Sequence, residues 1–238
     1  MLRVGVAGAL GRLGRVACDA IESADDLRLS AVLVRRAGER VHGASSYEDL
    51  DAFLASGLDA VVDCTVYPET VDIARGAVEA GVRVVIGATG WTEEDLLVLG
   101  DLCDERDGAA MLVPNFSLGA VLMMRIAAEA ARVFKRAEIV EMHHDQKRDK
   151  PSGTAKLTAQ RMEAAGAASV PIHSVRLPGL IAHQDVIFGG VGETLTIRHD
   201  TLSRESFGPG IVAAVRAVGS QRGLVVGLDA IVGEGSAS

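Results

Sequence analysis

A short, apolar, β-prone run from Leu2 to Ala7 passes directly into Gly8-Ala9-Leu10-Gly11-Arg12-Leu13-Gly14. Apolar residues then recur at Leu13, Val16, Ala17, Ala20 and Ile21 with helical spacing. A strand, a glycine turn and an amphipathic helix, followed by a second strand from Leu27 to Val34, read as a β-α-β unit. Small residues at such a turn let the backbone approach a pyrophosphate, and the amides at the helix start hold its charge. The spacing is GxxGxxG rather than the commoner GxGxxG. The loop therefore reads as a dinucleotide site, the alternative being a tight turn whose glycines serve packing alone.

The alternation continues. Ala60–Cys64, Val82–Ile86 and Ala109–Val113 read as strands. Glu69–Ala80 reads as a helix with Gly81 at its C-terminal cap, and Thr92 with Asp95 caps another before Leu96–Leu99. Strands separated by helices imply a parallel, doubly wound sheet of Rossmann type. After Pro114 the rhythm changes. Ser117 caps a long helix to about Val133, Ala137–Met142 is a strand and Ser152–Ala165 a helix. Three strand-like runs, Ile172–Leu177, Asp185–Phe188 and Glu193–His199, follow with no helix between them, so a mixed or antiparallel sheet is expected there. Ile211, Val212, Ala214, Val215 and Val218 give a closing helix, and the tail from Gly233 looks frayed. The fold class is α/β: a dinucleotide-binding domain over 1–114 and 204–238, and a smaller α+β domain over 115–203 for substrate binding and oligomerisation.

Composition narrows the partners. The net charge of −8 does not favour nucleic acid, which asks for clustered positive charge. The three cysteines, Cys18, Cys64 and Cys103, are widely spaced and form no CxxC pair, so a reduced cytoplasmic chain without disulfides or a metal cluster is expected. Neither a secretory leader nor a membrane span is expected.

At the end of the second strand an acidic residue usually grips the ribose of NAD. Here the chain reads Leu33-Val34-Arg35-Arg36, with no carboxylate. Two arginines suit a 2′-phosphate, so NADPH fits at least as well as NADH; the alternative is two solvated surface charges.

The second informative stretch is His143-His144-Asp145-Gln146-Lys147-Arg148-Asp149-Lys150-Pro151-Ser152-Gly153-Thr154. Ser152 as a cap leaves the amides of Gly153 and Thr154 at a helix start, where an anion such as a carboxylate binds. A histidine titrates near neutral pH and exchanges protons, and a lysine supplies charge or a proton. Taken singly, adjacent histidines are more often surface groups, and a histidine pair without a third ligand makes a poor metal site.

Glu141-Met-His-His-x-x-Lys-x-Asp-x-Pro-Ser-Gly-Thr-Ala155 resembles the signature of the dihydrodipicolinate (4-hydroxy-tetrahydrodipicolinate) reductase family. Asp63-Cys-Thr-x-x-Pro68, Gly87-Ala-Thr-Gly90, Pro114-Asn-Phe-Ser-Leu-Gly119 and Ser203-Arg204 with Phe207 and Gly210 are similar to further family segments, in the same order along nearly the whole chain. The resemblance implies NAD(P)H-dependent reduction of a cyclic dicarboxylate in lysine and diaminopimelate biosynthesis, by a homotetramer. It implies that Gly8, Ala9, Leu10, Gly11, Arg12, Leu13, Gly87, Ala88, Thr89, Pro114, Asn115, Phe116 and Ser117 line the dinucleotide and that Arg35 reaches a 2′-phosphate. His143 would then give or take a proton, Lys147 donate one, His144 contact substrate, and Gly153 with Thr154 hold a carboxylate.

The chain differs from many family members at Val34, where an acid is frequent, and in the Leu177–Asp185 segment. Two other readings remain at this level. A homoserine or semialdehyde dehydrogenase would share the first half, though the latter needs an acylating cysteine, for which Cys64 is the nearest candidate. A non-catalytic dinucleotide sensor would need no proton donors.

Overall fold

The computed structural model describes residues 1–36 and 41–233; the frayed-tail expectation falls mostly outside them. The chain divides into two compact units, Met1–Phe116 together with the chain from Phe207 onward, and Ser117–Ser206.

In chain order the first unit begins with β1 (Leu2–Ala7), α1 (Arg12–Glu22), β2 (Leu27–Leu33), β3 (Ser45–Tyr47), α2 (Leu50–Leu54), β4 (Ala60–Asp63), α3 (Glu69–Glu79), β5 (Arg83–Ile86), α4 (Glu93–Glu105) and β6 (Ala109–Leu112). The second unit holds α5 (Leu118–Val133), β7 (Arg136–His143), α6 (Gly153–Ala164), β8 (Ile172–Arg176), β9 (Ala182–Gly190) and β10 (Glu193–Thr201). After a 3-10 turn (Arg204–Phe207), α7 (Gly208–Val218), β11 (Gly223–Val226) and α8 (Asp229–Gly233) belong to the first unit again.

The local reasons match the sequence signals. The Thr92 hydroxyl accepts the Asp95 amide at 3.1 Å while the Asp95 carboxylate accepts the Thr92 amide, a reciprocal cap for α4. The chain leaves α3 through Gly81 at φ 73°, and the Ser117 hydroxyl accepts the Ala120 amide at the start of α5. Every residue of β4 and β6 is buried, as expected for parallel strands covered on both faces.

The first sheet is parallel throughout, in the order β11-β6-β5-β4-β1-β2-β3. The strand order reverses between β1 and β4. In doubly wound folds, ligands bind beyond the strand ends at this point. Three elements were not expected from the sequence: the polar edge strand β3, the short helix α2 and the second edge strand β11. The first is held by pairing to β2, through contacts such as the Val34 amide on the Tyr47 carbonyl at 2.9 Å.

The second sheet is mixed, in the order β10-β9-β7-β8, with β7 and β8 parallel and the other pairs antiparallel. Ala137, Ile139 and Glu141 of β7 lie in one buried row with Gln184, Val186 and Phe188 of β9. Helices α5 and α6 pack on this unit's strands. One member of the row, Glu141, is a carboxylate, and it gathers polar partners from its own strand, the α6 cap and β8.

Candidate active site

In the first unit the glycine loop follows β1 at the reversal point. Gly8 has φ 72°, a left-handed conformation that favours glycine. A Cβ on Gly14 would overlap the Gly8 carbonyl, so helix α1 approaches the loop closer than any side chain allows. Gly11 is the N-cap of α1 without a side-chain bond, so the helix start offers only backbone amides.

A cavity of about 420 Å³ opens beside the loop, lined in part by Gly8, Leu10, Gly11, Arg35, Cys64 and Thr65. Four of the predicted cofactor residues, Gly8, Leu10, Gly11 and Arg35, therefore share one wall system. Ala9 is fully buried and lies outside the cavity lining, and Arg12 is exposed. A second group meets at Gly87, where a Cβ would come within 2.9 Å of the Phe116 ring and 3.0 Å of Leu13. Ala88 and Phe116 are buried, Thr89 and Pro114 exposed and Asn115 half-buried. Ser117 belongs to the second unit, where its hydroxyl lies 3.1 Å from His199 Nε2. A glycine cradle at a helix start beside a cavity of this size fits a dinucleotide.

The cavity also holds residues the sequence reading passed over. Glu48 follows β3, whose Tyr47 pairs with Leu33, so Glu48 comes opposite Val34. Glu69, at the start of α3, places Oε1 3.8 Å from Arg35 Nη2. The carboxylates missing at the end of β2 are thus supplied to the same cavity by its neighbours. Next to the lining residues Cys64 and Thr65, buried Asp63 accepts from the Thr65 amide at 2.9 Å, the Thr65 hydroxyl at 2.6 Å and the Thr70 hydroxyl, which pins the turn after β4. Burial raises the Asp63 carboxyl above its usual range against these bonds. Burial also pushes the Cys64 thiol well up, with Asp63 adding to it, so Cys64 is not a ready thiolate for acyl transfer.

In the second unit the predicted catalytic segment leaves the end of β7. Glu141 is fully buried and receives Arg176 as a fork, at 2.8 Å to Oε2 and 2.7 Å to Oε1. His143 Nδ1 lies 2.6 Å from Glu141 Oε2, and the Ser152 amide reaches Oε1 at 3.2 Å. Burial pushes Glu141 up, but the bonds from Arg176, Ser174 and His143 outweigh it and hold the carboxyl below its ordinary value. Desolvation lowers His143, against the pull of Glu141 and with help from the Lys147 and Arg176 charges.

The chain turns back after His144, with the Lys147 amide on the His144 carbonyl at 3.2 Å, and Lys147 Nζ pairs with Asp149 at 2.8 Å. His144 is half-buried. Ser152 caps α6 by accepting the Ala155 amide at 3.2 Å, leaving Gly153 and Thr154 at the positive end of the helix. Space beside Gly153 is open: a Cβ there would meet nothing within 4 Å. An imidazole, an ammonium and a helix start are thus gathered on one unit. Among the described residues no cluster of side chains could hold a metal ion.

The two halves of the chain match two family models, "Dihydrodipicolinate reductase, N-terminus" over residues 2–116 and "Dihydrodipicolinate reductase, C-terminus" over 119–232. The chain belongs to the dihydrodipicolinate reductase family. It is 45% identical to the 4-hydroxy-tetrahydrodipicolinate reductase of Moorella thermoacetica, over 96% of this chain and 97% of that one. The solved dipicolinate-bound dihydrodipicolinate reductase from Paenisporosarcina sp. TG-14 superposes with a TM-score of 0.89 at 35% identity, covering 97% of this chain and 99% of that one. A probable dehydrogenase from Thermotoga maritima shares the fold, with a TM-score of 0.70 at 14% identity, covering 95% of this chain and 91% of that one.

Proposed function

We propose that the chain reduces 4-hydroxy-tetrahydrodipicolinate to tetrahydrodipicolinate with NAD(P)H, a step of lysine and diaminopimelate biosynthesis. The observation that carries this reading is the family match across both halves, including a relative of that name at 45% identity over nearly the full length.

The first unit is the dinucleotide-binding domain. The residues from Gly8 to Leu13 hold the pyrophosphate through backbone amides, Gly87, Ala88 and Thr89 with Pro114, Asn115, Phe116 and Ser117 complete the cofactor wall, and Arg35 meets a 2′-phosphate when NADPH binds. When bound, the cofactor supplies hydride. The net change replaces a carbon–hydroxyl bond with a carbon–hydrogen bond and releases water, so the protein must deliver a proton as negative charge builds on the substrate. His143 gives or takes that proton through its Nε2 edge, since Nδ1 faces Glu141. Lys147 serves as a second proton donor beside the anionic substrate. His144 contacts the substrate, and the amides of Gly153 and Thr154 hold one carboxylate so that the ring is oriented for reaction.

The second unit also carries the contacts of a homotetramer. Ile187, exposed at 37%, lies on the β9 face opposite the buried Val186 and Phe188, with half-buried Val140, Met142 and Val175 facing the same way on neighbouring strands. These apolar side chains share the face with Glu138, Asp185 and Arg198, and copies packing sheet to sheet would cover both kinds of side chain. Among the described residues no helix is long and apolar enough to cross a membrane, and the enzyme works in the cytoplasm.

The deciding experiment follows NADH and NADPH oxidation in the presence of the freshly generated upstream product. Substrate-dependent oxidation supports the assignment. Cofactor binding without turnover under those conditions would leave a dinucleotide sensor as the better description.

A further inference from the structure

We infer that Glu141, anchored by Arg176, is the positioning residue that sets the tautomer and ring orientation of His143 and couples the imidazole to the loop carrying Lys147. The inference deepens the proposed function, since it rests on His143 being the proton-exchanging group.

The placement is the first reason. Glu141 occupies a buried row of β7 whose other members, Ala137 and Ile139, are apolar. A carboxylate in such a row is unfavourable unless it is paired and hydrogen-bonded. Here it is, by the guanidinium fork of Arg176, by His143 and by the Ser152 amide. An apolar side chain would fill the row without any of these polar partners, so packing does not account for the choice.

The second reason is what the partners join. Arg176 lies directly across the β7–β8 ladder from His143, and its Nη2 also donates to the Asp149 carbonyl at 2.8 Å. Asp149 in turn holds Lys147. The Ser152 amide ties the same carboxylate to the residue that caps α6. One buried ion pair therefore fixes the imidazole, the lysine loop and the helix start together.

The chemical consequence concerns a single proton. Glu141 is ionised, because its anion carries the Arg176 fork, so it accepts and His143 Nδ1 donates. Nε2 is then the atom left for proton exchange. The charged groups facing the imidazole are Glu141 from its own strand, Arg176 from β8, and Lys147, paired with Asp149, from the loop. Removing the Glu141 charge leaves two cations against the ring and one anion beyond them.

The test uses the full-length protein. In wild type labelled with 15N-histidine, the His143 signal, assigned by its loss in His143→Asn, is expected to show the Nδ1–H tautomer; an Nε2–H tautomer would overturn the inference without touching the enzyme assignment. In Glu141→Gln, kcat is expected to fall by at least roughly tenfold to a hundredfold, the loss seen when the carboxylate partner of a metal-bound imidazole is removed, with substrate and cofactor KM nearly unchanged. The His143 titration should move to lower pH, and Glu141→Asp should restore part of both effects. A Glu141→Gln protein that loses activity with an unmoved His143 titration has lost only structure, and that result also overturns the inference. Should Glu141→Gln not fold, the wild-type tautomer decides alone. Full turnover in His143→Asn would instead defeat the proposed role of His143, whatever tautomer wild type shows.

Discussion

Glu69 stands 3.8 Å from Arg35 at the cavity beside the glycine loop, so the guanidinium expected to meet a 2′-phosphate already faces a carboxylate. Both side chains are exposed, 91% for Arg35 and 55% for Glu69, and the pair itself contributes little to stability. Its expected effect is on cofactor choice. Arg35→Ala is expected to weaken NADPH roughly tenfold, about 1.4 kcal/mol, and NADH much less. Glu69→Gln should favour NADPH by removing a competing anion. Dissociation constants for both cofactors check this, and equal losses for both in Arg35→Ala would refute the phosphate contact.

Substitution of the proposed proton-exchange groups separates chemistry from binding. His143→Ala or Lys147→Ala is expected to lower kcat by roughly a hundredfold to ten-thousandfold, the usual range for general acid–base groups, with cofactor affinity unchanged. Stopped-flow or steady-state kinetics with a parallel cofactor titration measure both. Near wild-type turnover in either variant removes that residue from the mechanism.

The depressed His143 value has a definite sign. Its folded value lies below the ordinary 6.5, so near that pH the unfolded chain binds more protons than the native one. Stability therefore falls as the pH drops from about the ordinary histidine value towards the folded one. The Glu141 carboxyl, also held low, adds a loss at still lower pH. Melting temperatures at pH 7 and pH 5.5 should differ more for wild type than for His143→Asn. A wild-type imidazole titrating above 6.5 by NMR would contradict the burial assigned to it.

Gly14 offers a packing test. A Cβ there would overlap the Gly8 carbonyl and come within 2.8 Å of the Ala9 Cα, both rigid backbone. Gly14→Ala is expected to destabilise the protein by about 1–3 kcal/mol, as overpacking does, and to weaken both cofactors together by displacing the loop from α1. Thermal melts and cofactor titrations report it. An unchanged melt with unchanged binding would mean that the helix can withdraw freely.

Much of the fold was legible in the chain itself. Local signals carried it: the glycine loop, the Thr92–Asp95 cap, Gly81 after α3, and Ser117 and Ser152 as helix starts each act within a few residues. The polar strand β3, the short α2 and β11 were not legible, because an edge strand of three or four residues is held by its neighbour's ladder rather than by its own pattern. The segment from His143 to Thr154 stood out by residue type, as two histidines and a lysine ahead of a serine helix cap. Which ring nitrogen of His143 faces inward was not announced.

The sequence by itself determined that a parallel sheet with a glycine loop precedes a mixed sheet carrying a histidine–lysine segment, because backbone propensity and periodicity are short-range properties. Only the tertiary structure decided that Glu141 takes Arg176 from the adjacent strand, 35 residues away, and that Glu48 and Glu69 enter the cavity where Val34 brings no charge. Electrostatic partners meet through strand register and burial, and the low dielectric that gives them their strength exists only once the chain has packed around them.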